Sequence, residues 1–208
     1  MSRNKTMRTI LLWTAALRLA TGIAAIPLAP VLYEDHFLWL VFLRPTKEIF
    51  LAGGFLARQG DVNFVLLVLA AIPLSILGVW LFFFLGRAYA KEIHNDELGG
   101  IAGRILNPER VKKFEKALDK RGNRLIFLGR MAVMSSAGVA VAAGAAGMEP
   151  RKFIPIDLVG GLVSIAYTVG AGYFLGEAYE QAGPWLTGLG LVALVTFAYI
   201  LGRSLNKD

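Results

Sequence analysis

The chain has no cysteine and two histidines, His36 and His94, in 208 residues. Without thiols there can be no disulfide, no thiolate metal site and no thiol nucleophile, and two histidines cannot build a histidine-rich metal cluster. Charge is scarce as well: 18% of the residues are Asp, Glu, Lys or Arg, against about 25% in an ordinary soluble domain. No glycine-rich phosphate loop and no pair of catalytic carboxylates occurs. Hydrocarbon takes the place of charge, at 56% of the residues and a mean hydropathy of +0.57. That composition excludes an ordinary soluble enzyme.

The charges that exist are clustered. The net charge is +7, yet the stretch from Arg87 to Arg124 alone holds ten Lys/Arg against six Asp/Glu. Elsewhere long runs carry no formal charge: Val62 to Gly86, Met131 to Met148, Leu158 to Gly176 and Gln181 to Gly202. A helix needs about 20 apolar residues to cross a hydrocarbon core of roughly 30 Å, so the pattern is that of a multi-pass membrane protein. Arg3, Lys5 and Arg8 precede an apolar run as in a signal peptide. That run, Thr9 to Leu32, is longer than an h-region of about 7–15 residues and contains Arg18, so it reads as a retained first helix.

Six apolar segments follow: 9–32, 37–57, 62–86, 125–148, 153–176 and 184–202. The second carries Arg44, Pro45, Thr46, Lys47 and Glu48 in its middle, and the fourth carries Arg130 followed by Ser135, Ser136, Ala137 and Gly138. Each charge facing lipid costs about 2.5–3.5 kcal/mol on insertion scales, which makes both poor spanning helices. If all six crossed, the basic stretch would lie outside, against the positive-inside rule. If the second and fourth enter and return, every connection acquires the expected sign. The predicted architecture is an all-α polytopic membrane protein with four transmembrane helices, two opposed re-entrant segments, and cytoplasmic N- and C-termini. Residues 1–8 form the cytoplasmic N-terminus and 9–208 a single membrane domain.

An internal repeat at an offset of 90 residues supports two related halves, about 37–87 and 125–176, joined by a basic connector over 88–124. Leu51, Ala52, Gly54, Leu85 and Gly86 recur as Val141, Ala142, Gly144, Leu175 and Gly176. Inverted repeats with discontinuous helices are a transporter architecture. Gly54, Gly138 and Gly144 are the structural glycines of the broken segments. In the connector, Asn107 at the N-cap, Pro108 at N1 and the stripe Val111, Phe114, Leu118 predict an amphipathic helix ending near Gly122. It is expected either to lie on the headgroups or to form a solvated loop helix.

Ionisable groups at membrane depth are candidate functional residues because they must pair or line water. The substrate-binding candidates are Arg130, Arg44, Lys47, Glu48, Ser136 and Arg18. Arg130, beside backbone N–H groups left free where a helix breaks, suits a phosphate. Arg18 is read as snorkelling or pairing with Glu48, Arg44 and Glu48 as a self-neutralising i,i+4 pair, and Asp157 as an interfacial anchor. Ser135-Ser136 has no base within reach in sequence, since both histidines lie in loops. The expectation is therefore no enzyme, no cofactor and no metal.

The stretch from Gly129-Arg130 to Ala143-Gly144, then Phe153 and Gly172-Tyr173-Phe174-Leu175-Gly176-Glu177, resembles the second half of the DedA family, also called the VTT or SNARE-associated domain. Pro45-Thr46-Lys47-Glu48, Gly54-Phe55-Leu56-Ala57, Gln59-Gly60 and Leu85-Gly86-Arg87 resemble its first half. The resemblance implies a bacterial inner-membrane protein with opposed re-entrant segments. It is similar to members that return undecaprenyl phosphate across the membrane using the proton-motive force, and to eukaryotic relatives that scramble phospholipids. The chain departs from the family pattern at Val79, where Asp is common, and at Val133, Ser136 and Ser164, where Pro, Arg and Trp are common; Arg44 or Lys47 would substitute for the lost cation. The expected partners are a lipid with an anionic headgroup, the membrane itself and protons as coupling ion, with no nucleic acid. Two other readings stay open: a transporter of a small soluble anion, and a scaffold that recruits partners through the connector helix.

Overall fold

The computed structural model describes residues 2–131 and 135–176, and the regular secondary structure among them is entirely helical. In chain order the helices are α1 (Ser2–Asp35), α2 (Phe37–Leu43), α3 (Lys47–Gln59), α4 (Phe64–Ala88), α5 (Ala90–His94), α6 (Gly100–Leu106), α7 (Pro108–Arg121), α8 (Asn123–Met131) and α9 (Ser136–Ala145). The helix Pro150–Gly176 is α10. Three stretches are long and apolar enough to cross a membrane: Thr6–Tyr33, Phe64–Ala88 and Pro150–Gly176. These match the first, third and fifth apolar segments, while the predicted final helix over 184–202 lies outside the described residues. The second and fourth segments are not single helices; α2 gives way to α3 across 44–46, and Ser135, at φ −69°, ψ 100°, is the non-helical N-cap of α9, with residues 132–134 outside the described residues.

Local chemistry sets these boundaries. Pro45 disfavours the helical region for the residue before it, and Arg44 accordingly sits at φ −132°, ψ 71°. Asn63 caps α4 by accepting from the backbone N–H of Val65 at 3.0 Å and of Leu66 at 3.1 Å. The left-handed turn at Gly60, φ 87°, closes α3. Asn107 accepts from Arg110 N–H at 3.1 Å with Pro108 next to it, the predicted start of α7.

Glycines decide how the two halves interlock. A Cβ on Gly54 of α3 would run into the carbonyl oxygen of Val169 and lie 2.9 Å from the nitrogen of Tyr173, both in α10; a Cβ on Gly172 would strike the carbonyl of Leu51 in return. At a second crossing, Gly144 of α9 faces the carbonyl of Phe83 and, at 2.8 Å, the nitrogen of Arg87 in α4, while Gly86 faces the carbonyl of Val141. The crossings are equivalent residue for residue. Each broken segment packs on the long helix of the other half, backbone against backbone, as small residues permit in membranes.

The equivalence corrects the repeat. Gly54 and Gly144, and Leu51 and Val141, correspond at the predicted offset of 90. The partner of Gly86 in the second crossing is Gly172 in the first, an offset of 86, not Gly176. The difference of four residues is one helical turn, and it lies at the end of α3. Five residues of α3 follow Gly54 but one of α9 follows Gly144, whereas the loops 60–63 and 146–149 are equal in length.

The connector helix α7 neither lies apart on headgroups nor stands as a solvated loop. Its stripe faces the protein: Val111 and Leu118 are buried in a core that includes Phe83, Leu125, Val139 and Phe153. The ring of Phe114 covers Gly138, where a Cβ would lie 2.6 Å from it. The opposite face of α7 is tied to the α5 region, Lys112 donating to Asp96 at 2.6 Å and His94 standing 3.3 Å from Glu115, whose carboxyl burial pushes above its usual range. Arg8 of α1 pairs with Glu92 of α5 and lies 4.4 Å over the Tyr89 ring.

Candidate functional site

The two interruptions meet at one cavity of about 390 Å³ whose polar lining includes Arg18, Arg44, Thr46, Ser75, Arg130 and Ser136. Backbone carbonyls beside both interruptions accept hydrogen bonds from side chains. Arg18 donates through Nη1 to Leu43 O at 3.0 Å, closing the end of α2. At the end of α8, Ser136 Oγ donates to Gly129 O at 3.2 Å, Ser164 Oγ to Arg130 O at 2.9 Å, and Tyr167 to Met131 O at 3.0 Å. Met131 O also accepts from Lys47 Nζ at 2.8 Å. Lys47 starts α3, so this bond ties one interruption directly to the other and sets a cation against the negative end of α8.

Arg130 is 6% exposed and Asp157 2% exposed. Nε of Arg130 donates to Asp157 Oδ1 at 2.7 Å and Nη2 to Oδ2 at 2.6 Å, a bidentate pair. Nη1 donates to Ser75 O at 2.9 Å, and Trp80 Nε1 gives Asp157 Oδ2 a further donor at 3.0 Å. Gly160 and Gly161 of α10 leave the room that Arg130 fills, since a Cβ on either would lie within 3.4 Å of its side chain. A buried pair in which each carboxylate oxygen accepts at least one hydrogen bond is the form in which two charges tolerate removal from water.

Several expectations are corrected by this geometry. Asp157 is not an interfacial anchor but the buried counter-ion of Arg130, so the Arg130 fork is filled by a carboxylate. Arg18 pairs with the Leu43 carbonyl, not with Glu48, and its guanidinium passes beside Gly22 and Gly78. Arg44 and Glu48 make no described salt bridge but line one neighbouring cavity together; Arg44 also lines the central cavity, with no described hydrogen-bond partner for its side chain, and Glu48 is exposed. Of the predicted substrate contacts, Arg18, Arg44, Arg130 and Ser136 come together, Lys47 bridges the interruptions, and Glu48 lies outside this cavity, lining a neighbouring one with Arg44. Gly54 and Gly144 serve the helix crossings, and Gly138 makes room for Phe114.

Sequence reasoning named Asp157 but read it as an interfacial anchor, named Ser164 without a role, and missed Trp80 and Tyr167. A signal for Asp157 was present: it is the lone charge between Lys152 and Glu177, and a lone acid in an apolar helix calls for a partner. The cavity is cationic on one side and apolar on the other. Ile23 and Ile26 of α1 form part of the apolar wall and are 66% and 50% exposed against the described residues.

Long apolar helices, two interrupted segments crossing them through glycine contacts and a buried charge pair beside a cavity define a multi-pass helical membrane protein. The VTT domain pattern matches residues 45–174, and the chain belongs to that family, the DedA family. It is 29% identical over 162 residues to an alkaline phosphatase-like protein of Lactococcus lactis subsp. cremoris, covering 76% of each chain. It is 28% identical over 162 residues to an uncharacterized membrane protein of Synechocystis sp., covering 76% of this chain and 72% of the other. A Mycobacterium leprae membrane protein, also uncharacterized, is 25% identical over 135 residues, 65% of this chain and 59% of that one. No solved structure matches the chain.

Proposed function

We propose that the protein moves a lipid with an anionic phosphate headgroup, an anionic phospholipid or undecaprenyl phosphate, across the bacterial inner membrane. The segments 37–59 and 123–145 act as the two opposed re-entrant elements of an inverted repeat, and the lipid tail stays in the bilayer. The observation that carries this reading is the convergence of Arg18, Arg44 and Arg130 on one cavity with an apolar wall, where two interrupted segments meet. Arg44 offers the first charge-assisted contact to phosphate. Asp157 holds the Arg130 guanidinium fork through two bonds beside the cavity, and coupling of headgroup passage to protons is part of the same reading.

Translocation of a headgroup-labelled anionic lipid in proteoliposomes tests the reading. Arg44→Gln is expected to slow translocation at least tenfold with the melting temperature unchanged; wild-type rates would remove Arg44 and the cavity from the mechanism. Excess inorganic phosphate is expected to leave lipid translocation unaffected, whereas competition would favour a soluble-anion transporter.

Orientation is tested by the absence of cysteine. Single cysteines at Asp35, Asn95, Lys116 and Glu180 treated with an impermeant thiol reagent in intact cells are expected to label at 35 and 180 and not at 95 and 116. Labelling at 116 would invert the arrangement.

A further inference from the structure

The connector creates a second concavity, separate from the site above in its charges. Helices α6 and α7 roof a cleft of about 880 Å³ over α1, α4 and α9, floored by Leu19, Phe82 and Val141 and closed from the roof side by Phe114. Arg104, Arg110 and Lys113 line it, and all three are exposed. None of the three makes a hydrogen bond or ion pair with a described side chain, whereas Lys112, on the other face of α7, is neutralised by Asp96. Three like charges held over an apolar floor repel one another and leave hydrocarbon wet unless something both anionic and apolar lies there.

We infer that this cleft binds an anionic phospholipid, its phosphate between Arg104, Arg110 and Lys113 and its acyl chain along Phe82, Phe114 and Val141. Charge complementarity selects this occupant. A soluble phosphate would leave the floor uncovered, and a neutral lipid would leave the cations unanswered. The volume is within the range of about 300–1,000 Å³ usual for ligand sites, and basic pockets between membrane helices are a common setting for acidic headgroups. The cleft shares Leu19, Phe82 and Ala137 with the central cavity. On the transport reading, from which the binding claim is independent, it is the station from which a lipid enters.

Binding of a fluorescent-chain phosphatidic acid to the full-length purified protein, in nanodiscs of phosphatidylcholine, tests the claim. It is measured in the Arg44→Gln background, so that failure of the central site does not mask the cleft. Saturable binding is expected to weaken on the order of 100-fold when Arg104→Gln, Arg110→Gln and Lys113→Gln are combined, and to weaken with rising salt. Ala117→Trp, which plugs the cleft and keeps its cations, is expected to weaken binding at least tenfold. Unlabelled phosphatidic acid should displace the probe, and inorganic phosphate should not. Should the triple variant fold poorly, each single change is expected to cost about fivefold. Undiminished binding in the charge variants, equal displacement by inorganic phosphate, or no saturable binding would each overturn the proposal.

Discussion

Asp157→Ala is expected to destabilise the protein by about 3–5 kcal/mol, because it strands the buried Arg130 guanidinium without its counter-ion. Ser75 O would still accept one N–H, but Nε and Nη2 would lose both carboxylate bonds, and Trp80 Nε1 would lose its acceptor. At 6% exposure the guanidinium has little solvent access to replace them. Arg130→Ala is expected to fare as badly, leaving a carboxylate with Trp80 as its remaining described donor. The pair removed together behaves differently: Arg130→Met with Asp157→Leu fills the space with apolar atoms, and exchanging a buried ion pair for hydrocarbon is often neutral or stabilising. Denaturant titration of the purified protein should therefore show two severe single variants and a double variant near wild type. A mild Asp157→Ala would mean that the pair is not closed in the membrane. The double variant also separates stability from transport, since it should remain folded while losing translocation.

The second large effect is expected at the helix crossings. Gly144→Ala forces a methyl group against the carbonyl of Phe83, and Gly86→Ala does the same against Val141. Neither neighbour is the end of a flexible side chain, so the helices must separate, at a cost of about 1–3 kcal/mol or more for each change. The coupling pattern is the sharper test. Gly86 and Gly144 report on one crossing, and a separation forced by the first substitution makes room for the second, so the double variant should cost clearly less than the sum. Gly54→Ala with Gly144→Ala disturbs two different crossings and should add to within about 0.5 kcal/mol. Gly170, within α10 with nothing within 4 Å of an added Cβ, supplies the contrast. Gly170→Ala should stabilise by about 0.5–1 kcal/mol through helix propensity. Equal costs at Gly144 and Gly170 would show that the close approach does not exist.

Much of this architecture is legible in the chain because the bilayer restricts what a run of residues can do. The uncharged run 62–86 becomes α4 and the apolar segment 153–176 becomes α10, each shifted by two or three residues. The interruption at Arg44-Pro45-Thr46 follows from proline, and the start of α7 follows from Asn107 and Pro108. Contacts between distant segments left weaker marks. Nothing in the local sequence links Arg130 to an acid 27 residues away, and only the general cost of lone charges in hydrocarbon points to Asp157. The stripe of α7 is amphipathic in the same way whether it meets headgroups or Gly138, so periodicity alone could not choose. Leu51, Ala52 and Gly54 match Val141, Ala142 and Gly144 at an offset of 90, whereas the crossing glycines Gly86 and Gly172 stand 86 apart, and the Phe-Leu-Gly at the ends of both long helices draws a sequence alignment one turn away from them.

The extra turn of α3 bears on how the halves came to differ. Any duplication that produced them was followed by an in-frame insertion or deletion at the hairpin tip, where the crossing above it is left undisturbed and an unchanged loop is merely carried outward. The turn adds about 5.4 Å to one arm. Ancestral reconstruction should accordingly align α4 with α10 from their crossing glycines, and place the length change between Gly54 and Gly60.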